Sequence, residues 1–398
     1  DFRRIRVEID PAAEWAQMVG ETARLMEGHH WRGVDTATSL AEARAALDRV
    51  GCRSELTDVL HQLHGHVRTS HAYAMGGDHR RRPPVWRPGR LGADVSWCEE
   101  VPGWRIDRVV VGDPDDPARR SPLVGPGLVV HDGTVVKAVD GQEVSPTRSL
   151  DALLAHRSQV EVVLTVEHDG VEREIVVRPL SDDRPLRYRD WVLACRRRVH
   201  ERSDGRVGYV HVPNMGPTGF AEFHRDYLSE VHHDALLVDV RWNTGGHVGQ
   251  LLLATLARPA LGWVVPRWGS PYTYPTLAMR GPMAALANQN AGSDGDMFTH
   301  LWQRMGLGPV FGVPTWGGTV GIMARHYLVD GSLVTQPEFA QWFDDVGFGL
   351  ENRGAVPDHP VPTPPGTLGD PQLDAAIDWL MGALRRRPEP PRPEPRPR

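Results

Sequence analysis

Ser293 lies in the stretch Asn288-Gln289-Asn290-Ala291-Gly292-Ser293-Asp294-Gly295-Asp296, between a short apolar run and an amphipathic segment holding Met297, Phe298, Leu301 and Trp302. A serine beside glycine at a strand-to-helix turn projects its hydroxyl, and the helix that follows offers free N–H groups, so these residues suit a nucleophile. They equally suit a polar turn in which Ser293 or Asp294 caps a helix. Upstream, the apolar run Ala235 to Val240 leads into Arg241-Trp242-Asn243-Thr244-Gly245-Gly246. Paired glycines let backbone amides face a developing negative charge, as an oxyanion hole requires, although any α/β protein has glycine-containing turns at this place. Among 19 histidines, His71 is singled out because Ser70-His71 follows the end of a helical pattern and precedes Gly76-Gly77. Most of the others read as surface groups. Glu351 sits in Asp344-Asp345-Val346-Gly347-Phe348-Gly349-Leu350-Glu351-Asn352, where a carboxylate can orient a hydroxyl or imidazole, or simply face solvent from a loop.

The elements that must position these residues fall into differently textured regions. Residues 1 to about 80 predict helices, with Trp15, Met18, Val19, Met26, Leu56, Val59, Leu60, Leu63 and Val67 mostly three or four apart. Ser39 with Glu42 forms a capping-box pattern that predicts a helix start there. Residues about 90 to 180 predict short strands over 104–111, 127–130, 135–139 and 160–166 and one helix near 150–156, separated by Gly, Pro and Asp. A charged segment, Ser181 to Arg202, leads to alternating elements: strands over 207–212, 235–240 and 283–287 and helices around 220–231 and 248–256. Such alternation predicts an α/β layered domain. The Pro, Glu and Arg tail from Arg385 is too polar to bury a core and is expected to be disordered. The expected organisation is 1–88, 89–180, 181–384 and the tail 385–398.

Bulk composition narrows the function. The 398 residues are 40% hydrophobic and 24% charged, an ordinary globular mixture. A formal charge of −6 gives no reason to expect nucleic acid, which recruits concentrated basic surface. No run approaches a membrane span and Asp1 to Val19 lacks a secretory layout, so the expected address is the cytoplasm with no membrane contact. Cys52, Cys98 and Cys195 are odd in number and widely spaced, which points to free thiols. Basic residues are almost all arginine; Lys137 is the only lysine. The start at Asp1 rather than methionine suggests a piece of a longer protein.

Taken in order, these segments resemble the catalytic half of the tricorn-type serine peptidases, which belong to the same broad group as the C-terminal processing proteases. The resemblance runs from Asp1 to about Leu384. It is carried by Arg68-Thr69-Ser70-His71, Gly208-Tyr209-Val210-His211-Val212-Pro213, Val238-Asp239-Val240-Arg241, Ala291-Gly292-Ser293-Asp294-Gly295-Asp296, Thr315-Trp316-Gly317-Gly318, Leu333 to Phe339 and Gly349-Leu350-Glu351-Asn352. It implies an α/β multidomain fold: a mixed helical first domain, a PDZ-like β domain, and an α/β sandwich catalytic domain like those of the crotonases and C-terminal processing proteases. It also implies a catalytic tetrad of Ser70, His71, Ser293 and Glu351, with the backbone N–H groups of Gly246 and Asp294 as the oxyanion hole. No metal, nucleotide or other cofactor is implied.

The same resemblance implies oligopeptide substrates such as proteasome products, a homo-oligomer (a hexamer), and aminopeptidases acting downstream. A Ser-Lys dyad, used by the C-terminal processing proteases, needs a lysine in the catalytic domain, whereas Lys137 lies in the PDZ-like region. Members that cut after basic residues have an aspartate eighteen positions after the oxyanion glycine; here that position is Val264, which implies a hydrophobic P1 preference. The family's pair of N-terminal β-propellers has no counterpart in this sequence. Pro122 to Gly127 is not a clear carboxylate-binding loop, so peptide capture and a purely architectural role both remain open for the PDZ-like domain. The competing class is an inactive PDZ-containing scaffold that binds peptides without cutting them.

Overall fold

The computed structural model describes residues 8–79, 88–113, 116, 119–128, 130–387 and 393. It divides into two compact units, Asp1–Arg80 with Arg198–Arg398, and Arg81–Arg197. The first and last stretches of the chain therefore share one unit.

That unit begins with α1 (Pro11–His29), α2 (Ala37–Ala46) and α3 (Arg53–Gly65), followed by the short strand β1 (Ala74–Met75). Asp10 starts α1 by accepting from the N–H groups of Ala12 and Ala13, ahead of a proline whose missing N–H is no loss at the first helical position. Helix α2 does not begin at Ser39 as the capping-box pattern predicts. It begins after Thr36, and the buried Ser39 hydroxyl donates back to the Thr36 carbonyl. Thr36 is itself fixed by its N–H and hydroxyl on Glu27, and Glu42 faces His66 instead of the helix start. Met18, Val19, Leu56, Leu60 and Leu63 share a core with Leu328 and Val334 from the distant part of the chain.

The second unit is an antiparallel sheet of β2 (Ala93–Cys98), β3 (Gly103–Val109), β4 (Val135–Val139), β5 (Gln142–Glu143), β6 (Val162–His168) and β7 (Val171–Val177), ordered β2-β3-β4-β6-β7 with β5 on β4. Helix α4 (Leu150–Leu153) joins its core, in which Ile106, Val136, Leu154, Leu164 and Val166 are buried. No strand forms among the described residues of the 127–130 stretch, where one is predicted. Lys137 on β4 pairs with Glu167 of β6 at 3.1 Å, so the only lysine is engaged within this sheet. Helix α5 (Arg184–Ser203) occupies the segment that reads only as charged, and the boundary between units falls within it.

The remaining elements of the first unit are β8 (Val207–His211), α6 (Pro217–Glu230), β9 (Ala235–Asp239), α7 (Gly249–Leu256), the hairpin β10 (Gly262–Val264) and β11 (Tyr272–Tyr274), β12 (Met283–Ala287), α8 (Asp294–Arg304) and β13 (Val310–Gly312). Five short strands follow: β14 (Gly321–Ile322), β15 (His326–Tyr327), β16 (Leu333–Val334), β17 (Pro337–Phe339) and β18 (His359–Pro360). The last helix is α9 (Pro371–Arg386). Strands β18-β13-β12-β9-β8 form a parallel sheet in that order. Parallel strands are covered on both faces, which is why β9 and β12 read as continuous apolar runs and are buried at every position. Phe223, Tyr227, Leu252, Phe298 and Trp302 from the helices fill the core beside Val210, Val238 and Ala285 from the strands. Helix α9 reaches Arg386, into the stretch expected to be disordered; beyond Arg387 only residue 393 is described. Among the described residues no helix is long and apolar enough to cross a membrane.

One buried ion pair ties the ends of this unit together. Arg53 at the start of α3 meets Asp330 in the turn before β16, with both side chains less than a tenth exposed. Burial pushes the Asp330 carboxyl up, but hydrogen bonds from Ser332 and Arg53 outweigh it and hold the pKa at about 2. With the folded value depressed, the contribution is present above about pH 4 and is lost as pH falls toward 2. Arg53→Ala strands that carboxylate and is expected to destabilise the unit by about 3–5 kcal/mol. Urea unfolding checks this; an unchanged midpoint would show that the pair contributes nothing.

Candidate active site

Ser293 ends the connection from β12 and occupies the N-cap position of α8, with φ 57° and ψ −117°. This is a strained conformation for a residue with a side chain, of the kind found at sharp strand-to-helix turns. Its side chain makes no capping hydrogen bond, so the hydroxyl is not used up in starting the helix. The turn is held by its neighbours instead. Asp296 accepts from the N–H groups of Gly317 (2.7 Å) and Gly318 (3.1 Å), and Asp294 accepts from Gly249 N–H (2.8 Å). Burial raises the pKa of both carboxyls, and these backbone donors oppose it.

Asn243, at the end of the β9 turn, fixes the facing loop. Its amide donates to the Val212 carbonyl at 2.8 Å, its side-chain oxygen accepts Gly245 N–H at 2.9 Å, and its backbone carbonyl accepts Gly292 N–H at 2.9 Å. The Asp239–Arg241 pair anchors the same turn, with Arg241 buried and bonded to both Asp239 (2.7 Å) and Asp370 (2.8 Å). Gly245 approaches so closely that an added Cβ would fall 2.6 Å from Ser293 Cβ. At Gly246, φ is 149° and a Cβ would fall 2.0 Å from the Met215 carbonyl oxygen, so neither position accepts a side chain. Asp294 is the first residue of α8, and its N–H is among those with no acceptor inside the helix.

Ser70, His71 and Glu351 meet although 281 positions separate Ser70 from the carboxylate. Glu351 Oε1 accepts Ser70 N–H at 2.7 Å; Oε2 accepts the Ser70 hydroxyl at 3.1 Å and the N–H groups of Thr319 (2.6 Å) and Val320 (3.1 Å). Ser70 Oγ lies 2.9 Å from His71 Nδ1. With the Ser70 proton directed at the carboxylate, Nδ1 carries a hydrogen that it donates to Ser70, leaving Nε2 as the free base. His71 itself has φ 62°, held by Thr335, whose hydroxyl donates to the His71 carbonyl at 2.6 Å and accepts Tyr73 N–H at 2.9 Å. Burial lowers the His71 pKa; the Glu351 charge and the nearby Val320 backbone act against it.

No hydrogen bond joins Ser293 to His71 among the described residues, and such contacts are often open in an unliganded site. Trp316 links the two neighbourhoods. Its N–H donates to Ala291 O at 2.9 Å, and its ring meets the His71 imidazole edge-on with centroids 5.2 Å apart. Val264 is half-buried on β10, where its pairing partner is Tyr272 rather than any residue above. Sequence reasoning assigned no role to Asn243, Asp296, Trp316, Thr319, Val320 or Thr335. All lie within or beside the segments that carry the resemblance, so that adjacency was the available signal.

Comparison with known proteins follows these segments closely. Residues 89–182 match the model of the tricorn protease PDZ domain, and residues 206–361 match that of peptidase family S41. The chain is 46% identical to tricorn protease homolog 1 of Streptomyces coelicolor over 98% of its length and 37% of that protein. It is 41% identical to a putative tricorn-like protease C-terminal subunit of Sulfurisphaera tokodaii over 97% of its length and 45% of that protein. The crystal structure of the tricorn protease superposes with a TM-score of 0.92 at 35% identity, covering 97% of this chain and 38% of that one. The chain thus spans less than half the length of these relatives.

Proposed function

We propose that this chain, a member of the tricorn-type group of peptidase family S41, is a serine endopeptidase that hydrolyses oligopeptides through an acyl-enzyme. Ser293 attacks the scissile carbonyl while His71 takes its proton and returns it to the leaving amine. Ser70 carries the influence of Glu351 to His71, fixing the tautomer and stabilising the imidazolium. The N–H groups of Gly246 and Asp294 receive the oxyanion, a role in which each donor typically contributes about 100- to 1000-fold in rate. The observation that supports this reading most directly is the relay Glu351–Ser70–His71, in one unit with a strained Ser293 whose hydroxyl makes no cap.

The test is a fluorophosphonate probe mapped by peptide mass. Labelling at Ser293 that disappears in Ser293→Ala supports the peptidase; an unlabelled, folded chain supports a scaffold that binds peptides without cutting them. A cytoplasmic location, proteasome-derived substrates, a hexameric assembly and downstream aminopeptidases complete the proposal by likeness to the family.

Substrate choice is the finer part of the reading. An apolar Val264 in the P1 pocket offers nothing to offset the charge of Lys or Arg. Matched fluorogenic peptides are expected to be cut about 10- to 100-fold faster, by kcat/KM, after Leu or Phe than after Arg. Val264→Asp should narrow or reverse the ratio. Equal cleavage after Arg by the unaltered chain would remove Val264 from the pocket.

A further inference from the structure

We propose that His200, Glu230 and His233 form a binding site for one divalent transition metal ion of the zinc class, separate from the peptidase machinery. The three residues converge from the C-terminal part of α5, the last residue of α6 and the turn that follows. His200 Nε2 lies 2.8 Å and His233 Nε2 3.6 Å from the same oxygen, Glu230 Oε2, and all three donor atoms fall within 4.8 Å of one another. Bonds of about 2.0–2.2 Å to a tetrahedral ion put neighbouring ligand atoms about 3.3–3.5 Å apart, so small side-chain rotations suffice to complete the site.

The arrangement of protons points to a cation. His233 Nδ1 lies 2.6 Å from the Gly205 carbonyl oxygen, which can only accept, so Nδ1 must carry the hydrogen. In the neutral ring, Nε2 then has only a lone pair, and it faces a carboxylate oxygen. A lone pair facing a carboxylate oxygen at 3.6 Å is an arrangement that a bound cation would satisfy. A backbone carbonyl on Nδ1 is also the usual partner that orients a metal-binding histidine. Glu230 is pinned from behind by Tyr209 N–H of the edge strand β8, which donates to Oε2 at 3.0 Å.

Two imidazoles and one carboxylate suit zinc, cobalt or nickel better than the all-oxygen preference of magnesium or calcium. The side chains of His200 and His233 are 33% and 24% exposed and that of Glu230 is 4%, which gives an ion a route in and a fixed anchor. The fourth position would be filled by water. An ion there would clamp α5, α6 and the edge of the sheet at a point remote in sequence from Ser293, so its expected role is structural.

Titration of the chelator-treated full chain with Co2+ tests the proposal. The expected result is one saturable equivalent with visible d–d bands, displaced by Zn2+, and a melting temperature raised by Zn2+. His200→Gln changes a side chain that is one-third exposed, and it should weaken binding at least about tenfold while leaving peptide hydrolysis unchanged. His233→Gln should do the same, and circular dichroism confirms that both variants are folded. Absence of a one-equivalent band would overturn the site and leave a hydrogen-bonded His-Glu cluster. An undiminished band in the double variant would place the metal on other histidines.

Discussion

Ser293→Ala is expected to lower kcat by about 10⁴- to 10⁶-fold on any peptide the chain cleaves, with no loss of melting temperature. The second half follows from geometry. The Ser293 hydroxyl makes no helix cap, and the anchoring of the turn rests on Asp296, Asp294 and Asn243, all of which remain. Alanine inherits the same positive φ, so the strain is neither relieved nor increased. Residual activity should come from the oxyanion donors and from substrate positioning, which the substitution leaves in place. With Ser293 and His71 acting as one unit, as proposed, adding His71→Ala to Ser293→Ala should slow turnover little further. A fall of less than about tenfold in the single variant would mean that another group attacks the carbonyl.

What could be read from the sequence divides along physical lines. The parallel strands β9 and β12 were legible because burial on both faces writes them as unbroken apolar runs. Helix α5 was not. Its buried positions Leu186, Val192, Cys195 and Val199 are sparse and lie among arginines, so the segment's composition masks its apolar face. The capping box failed for a related reason: Ser39 and Glu42 have the right types and spacing, but Thr36 takes the helix start because Glu27, nine positions upstream, holds it there.

The site was harder still. No local rule brings Ser70 to Glu351, and the residues that fix them, Thr319, Val320 and Thr335, act through N–H groups and one hydroxyl in short irregular segments. Family resemblance supplied the four residues. The structure joins three of them, Glu351, Ser70 and His71, through hydrogen bonds, and places Ser293 at an N-cap position without a capping bond.

Those hydrogen bonds make Glu351→Gln the more informative second substitution. Glu351 Oε2 receives the Ser70 and Thr319 hydroxyls and two backbone N–H groups, whereas Oε1 receives Ser70 N–H alone among the described residues. The glutamine amide should therefore keep its oxygen on the Oε2 side, which opposes one donor rather than four. The Ser70 proton can then still point at residue 351, so the His71 tautomer survives while the negative charge is gone. Turnover is expected to fall by about 100- to 1000-fold, because the imidazolium formed during attack loses its counter-charge. The pH profile reports the same loss independently. His71 works as a base only when neutral, and burial already moves its pKa below the ordinary histidine value of about 6.5, so the acid limb of kcat/KM should lie below that pH in the unaltered chain. The Glu351 charge opposes that depression. Removing it should move the acid limb lower again, whereas a limb that belonged to the carboxylate itself would vanish. A limb that stays put, with turnover unchanged, would disconnect Glu351 from the imidazole and leave Ser70 as a purely structural neighbour of His71.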